Sequence, residues 1–178
     1  TYGIGSYSSA IALCYPLDRA LQEAVGLGQV VDLRAGFHTH AYRFHKAMPQ
    51  AAFFEVDAPG TSALKQEMVR AHFGRLPDHV AFVSVDPLQE GLYAALKNAG
   101  YDAAKKTQFI WMGASYHLPA PAVEATLGFV AGHSVPGSRI VFDYIPASLL
   151  ADKASASTRF RLAVAGEPLT FGIPEEGA

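Results

Sequence analysis

Three closely spaced histidines, His38, His40 and His45, follow an acid and an arginine, Asp32 and Arg34, and precede the acids Glu55 and Asp57. An imidazole with an ordinary pKa of about 6.5 exchanges protons near neutrality. His38, His40 and His117 are therefore candidate acid–base groups. Arg34 would add a fixed positive charge for a substrate carboxylate or an enolate oxygen. Such a set supports cyclisation, elimination or isomerisation of a small molecule without any cofactor. Two imidazoles and a carboxylate can also hold a divalent metal, for which the set would be His38, His40 and Asp57. A His-x-His pair arises equally from hydrogen-bonded or surface histidines, and the sequence leaves both explanations standing. Cys14 is either a nucleophile or a small buried hydrophobe. Phe37, Tyr42, Trp111, Met112 and Tyr116 could line an apolar substrate pocket, although core packing is the plainer duty of such residues.

The elements that would gather these residues follow from hydrophobic periodicity. Residues 1–28 read as a loop or lid followed by a helix over Leu17–Val25, behind Pro16. Residues 29–145 alternate short apolar runs with helical patterns. Strands are predicted at Gln29–Leu33, Ala52–Val56, Val80–Val85, Gln108–Trp111 and Arg139–Asp143, and helices at Ser62–Phe73, Leu88–Ala99 and Ala120–Ala131. This is the grammar of an α/β fold with a mainly parallel sheet, strand order 3-2-1-4-5, and helices on both faces. Asp57 and Asp86 then end the second and third strands, at the edge where such sheets bind ligands. Residues 146–178 lose the alternation. Ala151–Ser157 reads as a mobile polar loop, and Gly166–Ala178 has no strong pattern.

A chain of 178 residues, 50% hydrophobic, can bury one core, so a single domain over 1–178 is expected. The net charge of -2 and the lack of a Lys/Arg run argue against a nucleic-acid partner. No apolar stretch reaches the roughly 18 residues of a membrane span, and no basic segment leads into an apolar one at the start. A cytoplasmic location is expected. The single cysteine rules out an internal disulfide and a multi-cysteine metal site.

The stretch from Gln29 to Phe44, reading QVVDLRAGFHTHAYRF, resembles the pattern V-V-x-L-G-A-G-F-D-T-R-A-Y-R-F of the leucine carboxyl methyltransferase-like family. That family is a branch of the class I S-adenosylmethionine-dependent methyltransferases that includes polyketide-associated O-methyltransferases. Matching segments follow in order at Phe54–Pro59, His79–Asp86, Phe109–Pro119 and Pro136–Tyr144. The resemblance implies a Rossmann-like methyltransferase fold. It assigns Asp57 to the cofactor's ribose, Asp86 to its adenine amine and Gly36 to close backbone approach. Arg34 stands where the family has its first loop glycine, His38-Thr39-His40 where it has Asp-Thr-Arg, and Met112 where it has an acid. The arginines of a further motif ahead of the first strand are absent from Ala12–Asp18.

These departures fall on the side of the cofactor's amino-acid part. Weak or absent S-adenosylmethionine binding is therefore expected, with an adenosine-like ligand still acceptable and tighter binding on restoring Gly at 34 and Glu at 112. The leading expectation is a methyltransferase-fold enzyme with a remodelled cofactor site, repurposed for proton-transfer chemistry in secondary metabolism on a carboxylate or polyketide-like small molecule. An active O- or carboxyl-methyltransferase is the first alternative, and a catalytically silent interaction subunit the second. The family's final antiparallel strand pair has no counterpart before Ala178. The fifth strand is thus expected to be an open edge that pairs in a homodimer or with a partner subunit.

Overall fold

The computed structural model describes residues 15–86 and 91–175. Most of the expected lid, Cys14 and the first residues of the predicted helix Leu88–Ala99 lie outside that range. Helical residues 15–23 form α1. The remaining elements are β1 (Gln29–Leu33), α2 (His40–Phe44), β2 (Ala52–Asp57), α3 (Pro59–Phe73), β3 (Val80–Ser84), α4 (Leu92–Asn98), β4 (Thr107–Trp111), α5 (Ala120–Gly132), β5 (Arg139–Phe142), α6 (Ser148–Ala151) and α7 (Ala156–Val164). The strands form one parallel sheet of order β3-β2-β1-β4-β5, as the periodicity implies.

Strand alternation sorts the apolar side chains onto two faces. Val31, Leu33, Phe54, Val56, Phe109 and Trp111 face one core, closed by Leu92 and Leu96 of α4 and by Val123 and Val130 of α5. Val30, Phe53, Ile110 and Met112 face the other, closed by Leu17 and Leu21 of α1 and by Ala41 and Phe44 of α2. Each such side chain removed from water contributes about 1.5–3 kcal/mol, so both helical layers are held by burial. Asp32 and Glu55 share the second face and sit directly opposite one another in the β1–β2 register. Both are buried.

Several boundaries depart from expectation. α3 begins at Pro59 rather than at Ser62, because proline suits the first turn of a helix. The segment after β1 holds the short helix α2. Residues 146–178, read as losing the alternation, hold α6 ahead of the expected loop Ala151–Ser157 and α7 starting at its end, and neither helix buries a residue. α7 is only nine residues long and starts within the small polar stretch read as a loop, so its Phe160–Val164 pair is a brief signal. Its start is instead held locally, with Ala154 N and Ser155 Oγ donating to the Asp152 carboxylate. Among the described residues no helix is long and apolar enough to cross a membrane.

At the end of β1 the chain turns through Arg34, whose φ is 61°, the sole positive value at a non-glycine among the described residues. A left-handed conformation strains an L-residue by about 1–2 kcal/mol, while glycine adopts it freely but loses more entropy on folding. Arg34→Gly is therefore expected to raise the unfolding free energy by a net of about 0.5 kcal/mol, and Arg34→Val to lower it by 1 kcal/mol or more. Urea unfolding of the three proteins checks the ranking Gly above Arg above Val.

Candidate functional site

The carboxyl ends of β1 and β2 are tied together by Asp57. Its Oδ2 accepts the Gly36 backbone N–H at 2.6 Å, and its Oδ1 accepts that of Ala58 at 2.7 Å. Ala35 N donates to Val56 O, and Val85 N to Asp57 O, so the loops after all three strands are pinned to one ledge. Gly36 takes φ 46° there, and a Cβ at that position would meet nothing closer than Arg34 O at 3.9 Å. Asp86 lies half-buried just past β3. Across the sheet, Gly113 N donates to Asp143 Oδ1 at 2.8 Å, which fixes the loop after β4.

Behind the ledge, on the second face, sits a polar cluster around Asp32. His38 Nδ1 is 2.9 Å from Asp32 Oδ2, and His40 Nδ1 is 3.9 Å from the same oxygen. Burial alone would lift the Asp32 carboxyl, but the His38 hydrogen bond and the two neighbouring imidazoles override it and leave the group below its usual range. Burial depresses the His38 imidazole, yet the Asp32 hydrogen bond and charge more than offset this and raise it. Next to Asp32, Glu55 forms an ion pair with Lys65 of α3 at 2.9 Å and accepts the Tyr42 hydroxyl at 3.1 Å. Burial pushes the Glu55 carboxyl up in spite of Lys65. Burial and the Glu55 charge likewise hold the Tyr42 phenol well above its ordinary value.

A cavity of about 380 Å³ opens between α2 and α3 over this cluster. Phe37, Tyr42, Met68, Val69 and Phe73 give it apolar walls, and His38, Arg43, Lys65 and His72 add basic groups.

The candidate residues divide between these places. Phe37 and Tyr42 line the cavity, and His38 and His40 join at Asp32. Asp57, offered as their partner in a metal set, is turned onto the Gly36 and Ala58 N–H groups, and the carboxylate within reach of both histidines is that of Asp32. His117 lies in the turn after β4, where its Nδ1 donates to Pro168 O at 3.0 Å, and the cluster at Asp32 does not include it. Tyr116 is in the same turn, its phenol pushed up to about 12 by burial and by Asp143. Trp111 and Met112 are not pocket residues: each is buried in one of the two cores. A glutamate at 112 would therefore place a charge in apolar packing. Arg34 is exposed on the ledge. Sequence reasoning missed Lys65 and Asp18. Lys65 lies in a helix whose acid and remaining basic residues, Glu67, Arg70 and His72, face solvent, so its own burial leaves no mark in the charge pattern. Asp18 accepts two hydrogen bonds from Arg43 at 2.7 Å, which hold its carboxyl below the usual range, and the spacing from 18 to 43 carries no signal.

Residues 14–131 match the family described as leucine carboxyl methyltransferase. A protein of Bacillus subtilis (strain 168), provisionally named an S-adenosyl-L-methionine-dependent methyltransferase, is 30% identical over 149 residues, 82% of this chain and 49% of its own length. A Streptomyces coelicolor protein of the same provisional designation is 39% identical over 132 residues, 70% of this chain and 44% of its own. The chain thus spans about half the length of these curated relatives. Among solved structures, a DUF574 family protein from Streptomyces avermitilis is similar with a TM-score of 0.70 at 13% identity, over 90% of this chain and 64% of that one. That likeness bears on the fold.

Proposed function

The chain belongs to the leucine carboxyl methyltransferase family, and from that premise we propose that it provides the cofactor-binding sheet for S-adenosylmethionine-dependent methylation of an oxygen on a small, largely apolar substrate. When bound, S-adenosylmethionine supplies an electrophilic methyl group. The chain's part is to hold the nucleoside and to present the acceptor.

The observation that carries this reading is the ledge built on Asp57. Its carboxylate is oriented by two backbone N–H groups, and each oxygen keeps a lone pair for a ribose hydroxyl. Gly36 leaves the backbone open to close approach, and Asp86 is the acceptor for the adenine amine. The methionine half fits less well. Arg34 stands at the turn in place of a glycine, and Asp32 is already engaged by His38. Phe37 follows Gly36 directly and lines the 380 Å³ cavity, so the acceptor pocket begins where the cofactor loop ends. Methyl transfer needs that adjacency. The basic rim of the cavity favours a carboxylate or polyketide-like phenolic acceptor. Cofactor-free proton transfer by His38, His40 and His117 has less support, because His117 is bonded elsewhere and the relatives are named for methyl transfer.

Calorimetric titration with S-adenosylhomocysteine tests the proposal. A dissociation constant of about 0.1–1 mM is expected, since losing two charge-assisted hydrogen bonds at about 1.5–2 kcal/mol each removes about 3–4 kcal/mol from a micromolar site. Arg34→Gly is expected to tighten binding about tenfold and Asp57→Asn to weaken it by as much. Failure of both the wild type and Arg34→Gly to bind overturns the reading.

A further inference from the structure

His40 lies buried between two carboxylates. Its Nε2 is 3.9 Å from Asp18 Oδ1, and its Nδ1 is 3.9 Å from Asp32 Oδ2. Asp18 is locked by two hydrogen bonds from Arg43. An imidazole that carries its proton on Nε2, towards Asp18, turns the Nδ1 lone pair towards Asp32. A buried lone pair facing a carboxylate is unfavourable unless a positive centre lies between them, and Nδ1 has no hydrogen-bond partner. His38 brings a second imidazole nitrogen to the same carboxylate, at 2.9 Å. One donor atom from each of Asp32, His38 and His40 lies within 4.8 Å of the others. Beside them is a cavity of about 10 Å³ with Asp32, His40 and Glu55 on its polar side and Val30, Phe53 and Ile110 on its apolar side, about the room of one water-sized sphere.

We propose that Asp32, His38 and His40 form a binding site for one divalent transition-metal ion, with zinc the best match. Two imidazoles and one carboxylate suit a borderline ion such as zinc or cobalt better than magnesium or calcium, which prefer all-oxygen shells. Ligand bonds of about 2.0–2.2 Å at a tetrahedral centre set donor atoms roughly 3.3–3.5 Å apart. The distances of 2.9 and 3.9 Å bracket that spacing, so small side-chain rotations close the site. Asp18 becomes the outer carboxylate that orients His40, as metal-bound imidazoles require. Three protein ligands leave a fourth position for water or a substrate oxygen, the arrangement of catalytic rather than structural zinc. His38 also lines the 380 Å³ cavity, which puts the ion next to the proposed acceptor pocket. The site stands on its own geometry and does not depend on methyl transfer.

The test titrates dialysed, chelator-treated protein with zinc chloride by calorimetry and with cobalt chloride by visible absorption. One equivalent of zinc and the intense spectrum of low-coordinate cobalt are expected. His38→Ala and His40→Ala abolish both signals, and Asp18→Asn weakens zinc binding about 10–100-fold, the effect of losing an outer-shell partner. His45→Ala, in the separate stacked pair with His79, leaves both signals unchanged. Circular dichroism verifies folding. Should buried His40→Ala fail to fold, His38→Gln, at a half-buried position, carries the comparison. Failure of the wild type to bind one equivalent, retention of binding in the His38 variants, or loss of binding in His45→Ala overturns the proposal.

Discussion

Lys65→Met is expected to lower the unfolding free energy by about 3–5 kcal/mol at neutral pH, the size found when one partner of a buried ion pair is removed and the other charge stays behind. Lys65 and Glu55 are both buried, 2.9 Å apart, and among the described residues Glu55 has, beyond Lys65, the Tyr42 hydroxyl as its hydrogen-bond partner. Methionine keeps most of the side-chain volume, so the loss reports the stranded carboxylate rather than a cavity. Combining Lys65→Met with Glu55→Gln removes both charges and keeps an acceptor for Tyr42. The double variant should recover to within about 1 kcal/mol of the parent, since replacing a buried pair as a whole is often close to neutral. Urea unfolding of the two singles and the double gives the coupling directly. A single variant that loses less than 1 kcal/mol would mean that the pair is wetter than its burial indicates.

Trp111→Ala should destabilise by about 3–5 kcal/mol, the range for deleting a large core aromatic. Trp111 is 1% exposed and packs in the first core beside Phe142. Phe37 also has the look of a pocket aromatic in the sequence, but it is 55% exposed at the mouth of the cavity. Phe37→Ala should change stability by no more than about 0.5 kcal/mol while weakening acceptor binding. The pair of variants separates packing from recognition. Equal stability losses in the two would contradict the assignment of Trp111 to the core and Phe37 to the cavity.

What the sequence conveyed follows from which interactions leave a period. The five strands are short apolar runs between helices, and a parallel sheet buried on both faces produces that pattern for any sequence that folds this way. The sheet order and both cores were accordingly legible, as were Asp57 and Asp86 at strand ends. The cluster at Asp32 was only half legible. His38 and His40 are conspicuous by type, but their partner is decided by the pleat: Asp32 and Glu55 point to the second face, whereas Asp57 turns back onto Gly36. Trp111 and Met112 follow β4 to opposite cores for the same reason. Side-chain identity drew attention to them as pocket residues, and strand parity placed them in packing. α7 stayed hidden because it is short and begins inside the small polar stretch Ala151–Ser157, so Phe160 and Val164, one turn apart and both exposed, give too brief a stripe to read.

The segment after β5 folds back on itself, Ala147 N donating to Ile173 O and Ile173 N to Ile145 O, and meets the rest of the chain at the turn after β4, where Thr170 N and Phe171 N donate to Tyr116 O and Phe171 packs on the first core. Gly172 passes so close to Ala147 that an added Cβ would lie 2.8 Å from its Cα. α6 and α7 bury no residue, and Phe160 and Val164 face outward. Free energy is therefore distributed unevenly along the chain. The sheet and its two helical layers open only together, whereas this last segment can detach and return many times within the lifetime of one folded core. Because Tyr116 and His117 are tethered to the same segment while Gly113 and Ser115 stay bonded to Asp143, each such excursion releases only the far side of the turn after β4 and leaves Asp32, Asp57 and their neighbours in place.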